Sequence, residues 1–144
     1  MSRNWAYPVI LERDARTKTY TVSFVDAPGA TEGATAEEAL LNGVDALETA
    51  LSGYVDARAP LPRPSRPKRG QMTIRLSALG MAKAALYEAM LEKKIGRAEL
   101  ARRLHWHLAQ VDRVLDFCHA SKMEMVEAAL AAIGLRLLVD VDAA

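Results

Sequence analysis

The sequence predicts an α+β protein: a small, mostly antiparallel sheet carrying one helix, followed by an all-α helix-turn-helix module that ends in a short strand. Three observations lead there. Apolar residues alternate with period two in short runs near the N-terminus. One long segment, residues 35–56, then repeats its apolar positions every three to four residues. After residue 77 the helical period dominates in four successive segments.

Composition sets the frame. The 144 residues are 51% hydrophobic and 26% charged, enough for a packed core in one domain or two small ones. A single cysteine, Cys118, allows no internal disulfide and suits a reducing compartment. No apolar run approaches membrane-spanning length, and the N-terminus enters a strand pattern directly, so no signal peptide and a cytoplasmic location are expected. The net charge of +1 hides an asymmetry. Residues 1–57 hold 4 basic and 9 acidic side chains, a charge of −5; residues 58–119 hold 13 and 5, or +8; residues 120–144 hold 2 and 4, or −2. An acidic front and a basic middle suit a basic protein and a phosphate backbone as partners.

The front module spans residues 1–76. Residues 5–11 read as a first strand, with Tyr7, Val9 and Leu11 on one face; Pro8 cannot donate to a ladder and belongs near an edge or a strand end. Residues 12–18 turn, and residues 19–25 form a second strand with Tyr20, Val22 and Phe24 on one face. Asp26-Ala27-Pro28-Gly29 is a turn signal, and residues 30–34 a short third strand. Thr35 and Glu38 form a capping box for a helix whose apolar stripe is Leu40, Val44, Leu47, Leu51 and Val55. Residues 58–70 hold four of the six prolines with Arg58, Arg63, Arg66, Lys68 and Arg69, a stiff basic connector with a weak Pro-x-x-P pattern at Pro64 and Pro67. Met72, Ile74 and Leu76 alternate as a fourth strand.

The rear module spans residues 77–144. Ser77 caps a helix running to about residue 94, with Leu79, Ala82, Leu86, Ala89 and Met90 buried. Two short helices follow, about residues 97–104 and 108–117. Leu100, Ala101 and Leu104 mark the inner face of the first; Val111, Val114, Leu115 and Cys118 mark that of the second. The second is too short to stand alone, and makes sense as a rod held by its neighbour with one face free. This is the form of a helix-turn-helix, whose second helix enters the DNA major groove. His105 occupies the turn position where Gly in the left-handed conformation is usual. The motif turns His107, Leu108, Ala109, Gln110, Asp112 and Arg113 towards the groove. Arg113 is suited to guanine, Gln110 to adenine, and Leu108 and Ala109 to thymine methyls; Asp112 can accept only from cytosine. Arg102 and Arg103 are assigned to phosphates. Ser121 and Glu124 predict a capping box for a last helix containing Val126, Ala129, Leu130 and Ile133, closed by Gly134. Leu135, Leu137, Val139 and Val141 then alternate as a strand. It is expected to pair with its own copy in a homodimer or higher homo-oligomer, presenting two recognition helices to a palindrome, with pairing onto the front sheet as the alternative.

The stretch from Ser23 to Leu51 resembles the HicB antitoxin family. Its pattern appears here as Asp26, Pro28, Gly29, Thr31, Gly33, Thr35, Glu37, Glu38 and Ala39. One branch of that family has a C-terminal helix-turn-helix. The resemblance implies a partial ribonuclease-H-like sheet without the nuclease's acidic centre. It also implies neutralisation of a small basic mRNA-cleaving toxin, HicA, by the front module, and repression of the chain's own operon through operator DNA. A stand-alone regulator without a toxin is the alternative, and a degenerate nuclease a third reading.

A metal-dependent nuclease needs converging carboxylates. Asp14 and Asp26 instead sit at turns and Glu38 is explained as a cap partner, so no catalysis is expected. His105, His107, Cys118 and His119 match no common zinc spacing, so no metal or other cofactor is expected; Cys118 reads as a small core residue.

Overall fold

The computed structural model describes residues 5–143. The outer limits of the two expected modules, residues 1 and 144, lie outside that range, as do the first four residues on which the leader reading partly rests. The elements in chain order are β1 (Ala6–Arg13), β2 (Tyr20–Phe24), β3 (Ala30–Gly33), α1 (Ala36–Asp56), β4 (Met72–Arg75), α2 (Ala78–Lys93), α3 (Arg97–Leu104), α4 (Leu108–Leu115) and α5 (Met123–Ala132). No helix among the described residues is long and apolar enough to cross a membrane.

The four strands form one antiparallel sheet in the order β3-β2-β1-β4. Tyr7 lies opposite Ile74, and Val9 opposite Phe24, while Leu11 faces Val22. Cross-strand partners share a face, so Tyr7, Val9, Val22 and Ile74 gather on one side, all buried with Leu47 and Leu51 of α1. Gly43 lets α1 settle closely: a Cβ there would stand 3.4 Å from both Ile74 Cδ1 and Val22 Cγ1. β1 is an inner strand, and Pro8 falls where its ladder with β2 ends. The ladder with β2 ends at the Val9–Phe24 pair, and the Pro8 carbonyl beyond it accepts from the Val25 amide at 3.3 Å. The proline nitrogen faces the same way, so the Pro8–Val25 position carries one ladder bond where another residue would allow two. Neither placement expected is realised: Pro8 is the third residue of an inner strand, paired with Thr73 of β4, and only its ladder with β2 ends beside it.

The start of α1 follows the cap expected for it, with one shift. Thr35 Oγ1 accepts from the Glu38 amide at 3.1 Å, while the Glu38 carboxylate reaches back to the Ala34 amide at 3.1 Å, one residue beyond the usual return contact.

The connector is pinned at several points. The Tyr7 hydroxyl donates to the Pro62 carbonyl (2.7 Å), and the Tyr87 hydroxyl, from α2, to the Ala59 carbonyl (2.8 Å). Leu61 between them is buried. Burial raises the pKa of both phenols above the ordinary tyrosine value, with Glu88 and Asp26 adding to the effect at Tyr7.

Helices α2 to α5 pack on one another, and four expectations are corrected there. First, α4 stops at Leu115, not at residue 117, because Asp116 leaves the helical region (φ −90°, ψ 110°) and its carboxylate accepts from the Cys118 amide at 2.9 Å. Second, that bend turns Phe117 inward and Cys118 outward: Phe117 is buried and Cys118 exposed. Third, Ser121 does not cap α5. The N-cap is Lys122 without a side-chain bond, because the Ser121 hydroxyl is engaged elsewhere. Fourth, residues 135–143 form no strand in the single chain. A strand exists only through its ladder, and the described residues offer the tail no rung. Leu138, Val139 and Val141 are 79%, 81% and 89% exposed. Gly134 does close α5 as expected, at φ 82°, with the Leu135 amide returning to the Leu130 carbonyl at 2.9 Å.

Candidate nucleic-acid interface

The two eight-residue helices α3 and α4 are joined by a tight turn at His105. His105 is left-handed (φ 56°, ψ 38°), and the Trp106 amide closes on the Ala101 carbonyl at 3.0 Å. A residue with a Cβ pays a steric penalty in this region. His105→Gly is therefore expected to raise stability by about 0.5–1 kcal/mol, read as a higher urea midpoint with unchanged slope.

Helix α4 divides cleanly into two faces. Val111, Val114 and Leu115 are buried, while His107, Leu108, Ala109, Asp112 and Arg113 are exposed and Gln110 is half-buried. The residues assigned from sequence to a DNA groove therefore share one accessible surface, but their side chains are not equally available. Gln110 Oε1 accepts from the His107 amide at 2.8 Å and so helps to start the helix. Asp112 is paired with Arg97 of α3. Arg113 has its side chain on the open face, and its backbone carbonyl is used for support.

The two arginines of α3 assigned to phosphates differ. Arg102 and Arg103 both bind Glu99, one helical turn away, and their hydrogen bonds hold its carboxyl below the ordinary carboxylate range. Arg103 also donates to the Ala132 carbonyl at the end of α5, at 3.2 Å, which makes it partly a brace between helices. Arg102 is 70% exposed and, among the described residues, held only by its pair with Glu99. Surface pairs three residues apart are worth a few tenths of a kcal/mol, so Arg102 can exchange its partner for a phosphate at little cost.

What holds α4 in place is a lysine that the sequence reading passed over. Lys83 of α2 is fully buried. Its ammonium lies 2.7 Å from the Asp116 carbonyl, 2.6 Å from the His119 carbonyl, 2.9 Å from Ser121 Oγ and 3.1 Å from the Arg113 carbonyl. The Ser121 hydroxyl in turn donates to the Arg113 carbonyl at 3.2 Å. A cation thus caps the C-terminus of α4, where the helix dipole is negative. Burial pushes the Lys83 ammonium below its ordinary range, opposed by Asp116, Glu48 and Cys118.

A second buried charge joins the sheet side to the helices. Glu48 of α1 accepts from the Ser77 amide (3.0 Å) and the Ser77 hydroxyl (2.7 Å), and Ser77 Oγ accepts from the Gly80 amide at 2.9 Å. A carboxylate at the start of α2 is electrostatically favoured. Gly80 makes room for it: a Cβ there would lie 2.2 Å from Glu48 Oε1. Thr49 and Ser52, on the same helix, bring their hydroxyls to 3.7 Å from Cys118 Sγ. Lys83 and Glu48 carry a detectable sequence signal. Each sits three or four residues from apolar neighbours, Leu79 and Leu86 for one, Val44 and Leu51 for the other, so each is a charge on a buried stripe.

A family model described as a HicB-like antitoxin of bacterial toxin-antitoxin systems matches residues 6–85. The chain belongs to the HicB antitoxin family. It is 48% identical over 113 residues to the protein named Antitoxin HicB of Pseudomonas fluorescens (strain Pf0-1), covering 78% of this chain and 77% of that one. It is 37% identical to Antitoxin HicB 2 of Photorhabdus laumondii, over 95% of this chain and 96% of the relative. With Antitoxin HicB of Escherichia coli (strain K12) the identity is 36%, over 91% and 95%.

Within this HicB-family chain the motif residues have structural tasks. Asp26 ties the connector to the sheet, accepting from the Ser65 amide at 2.8 Å and the Ser65 hydroxyl at 3.0 and 2.9 Å. Asp14 caps its own turn through the Arg16 amide at 2.8 Å, and Glu38 is the return arm of the α1 cap. The three carboxylates considered for a nuclease are thus each committed to local backbone or connector contacts. Among the described residues no three His, Cys, Asp or Glu side chains are gathered to hold a metal ion.

Proposed function

We propose that this chain is an antitoxin in two parts, working in the cytoplasm. The front module, to residue 76, binds and neutralises a HicA-type mRNA-cleaving toxin. The rear module, from residue 77, represses the chain's own operon by placing α4 in the major groove of operator DNA. The observation that carries the DNA reading is the division of α4: one face is sealed against α2, α3 and α5, and the other, with Arg113, is open. The basic balance of residues 58–119, +8, supports it. The exposed apolar tail at Leu135, Leu138, Val139 and Val141 supports a symmetric dimer made by pairing of two tails, which would present two copies of α4 to a palindrome. Membership of an antitoxin family supports a toxin as the protein partner.

A gel shift on the chain's own promoter DNA at stated salt tests the repressor half. Arg113→Ala is expected to weaken specific binding by about 1–3 kcal/mol and to relax preference at one base position. Arg102→Ala should weaken binding to all sequences alike and lower the salt slope by about 1. Unchanged operator affinity in Arg113→Ala would remove α4 as the reading element. Co-purification with the product of the adjacent reading frame tests the antitoxin half; a wild-type chain that captures nothing would leave a stand-alone regulator.

A further inference from the structure

Arg97 sits where it weakens the fold. It is the first residue of α3, at the positive end of the helix dipole, where a cation is disfavoured. Its Nε is buried and has no hydrogen-bond partner among the described residues, a further cost. In return it pairs with Asp112 of α4, and both side chains are partly exposed, 35% and 48%. A pair so exposed adds little to stability. A charge that breaks local rules without a gain in stability marks a functional task.

That task follows from what Asp112 would do unpaired. Asp112 and Arg113 stand three and four residues after Ala109, so all three share the open side of α4. A bare carboxylate there would meet the phosphates that border the groove, and like charges repel strongly at close range. Asp116, at the end of α4, is turned instead to the Cys118 amide at 2.9 Å. Arg58 and Lys94 line the same cleft as Arg97 and Asp112, but so do Asp56 and Asp116, and these four charges cancel. The cation bonded to Asp112 is Arg97. We propose that Arg97 is a positioning residue for operator recognition: it neutralises Asp112 and turns its carboxylate towards α3, so that α4 enters the groove without a repelling charge and base reading falls to Arg113. The proposal rests on the repressor reading and adds to it the means by which a reading face carrying an acid accepts DNA.

The test is a double-mutant cycle in the full chain: Arg97→Ala, Asp112→Asn and the two together, measured on promoter DNA at stated salt and by thermal melting. Arg97→Ala is expected to weaken operator binding roughly tenfold at low salt and less at high salt. Its thermal midpoint should not fall, because the variant loses an unpartnered Nε and a cation at a helix start. Adding Asp112→Asn to Arg97→Ala is expected to restore affinity to within about twofold of wild type, since no bare carboxylate is left. Asp112→Asn alone should bind at least as tightly as wild type, with the same base preference. A double variant as weak as Arg97→Ala would show that Arg97 grips DNA itself or only supports the fold, and would overturn the proposal. A changed base preference in Asp112→Asn would overturn it too, since Asp112 would then be a reader. Wild-type affinity in Arg97→Ala would reject the proposal while leaving the repressor reading intact. A wild-type chain that does not bind its promoter would sink that reading, and the proposal with it.

Discussion

Lys83→Met is expected to destabilise the chain by about 2–4 kcal/mol, among the largest effects of any single substitution here. Methionine fills much of the same volume, so the loss is not a cavity. It is the loss of the donor that satisfies the Asp116 and His119 carbonyls and Ser121 Oγ, contacts of 2.7, 2.6 and 2.9 Å. Each buried acceptor left without a partner costs about 1–3 kcal/mol. Asp116 and His119 are exposed residues whose carbonyls can be rehydrated in part, which keeps the total below the simple sum. Replacing a whole buried polar cluster with apolar groups is often neutral, but here only the donor is removed and the acceptors remain. The same change should release the C-terminus of α4 and the segment to Ser121. Amide exchange across residues 113–121 should therefore rise more than in the sheet, and operator affinity should fall by tenfold or more under conditions where the chain is still folded. Unaltered urea unfolding of Lys83→Met would show that these contacts contribute nothing net. Unaltered exchange at residues 113–121 would show that Lys83 does not hold α4.

Gly33→Ala is expected to cost about 2–4 kcal/mol and to lower the melting temperature by roughly 10 °C. A Cβ at Gly33 would lie 2.5 Å from the Ala39 nitrogen and 2.9 Å from both the Ala39 Cα and the Glu38 carbonyl carbon. These are backbone atoms of the first turn of α1, and no side-chain rotation relieves them. Either β3 or the helix start must move. The movement would strain the Thr35–Glu38 cap and the bond from Asn42 Nδ2 to the Glu32 carbonyl (3.0 Å). Gly33 is thus required for space, not for a left-handed backbone, which explains its place in the family pattern. Gly53→Ala is the control of opposite sign. It lies inside α1 with nothing within 4 Å of a new Cβ, so alanine there should add about 0.5–1 kcal/mol by helix propensity alone. Equal melting temperatures for the two variants would mean that the approach of β3 to α1 is looser than these distances imply.

The order of strands and helices, the α1 cap, the His105 turn and the open face of α4 are all local matters. A capping box spans four residues, a turn three, and an amphipathic face repeats within one helix, so a short stretch of sequence determines each of them. The family pattern from Asp26 to Ala39 could be recognised for the same reason. Tertiary structure alone decided which groups meet across the chain. Periodicity places Lys83 and Glu48 on buried stripes, but nothing near them in sequence names the carbonyls of residues 116 and 119 or the amide of residue 77 as their partners. Ser121 has the spacing of a helix cap and was drawn instead into the Lys83 network, because a buried ammonium competes better for a hydroxyl than an exposed amide does. The bend at Asp116 exchanged the places of Phe117 and Cys118, and Arg103 was taken up by the end of α5. The tail at residues 135–143 has the alternation of a strand and none of its pairing. Alternation is a property of the segment itself, whereas a ladder is a property of two segments, and the described residues of one copy do not supply the second.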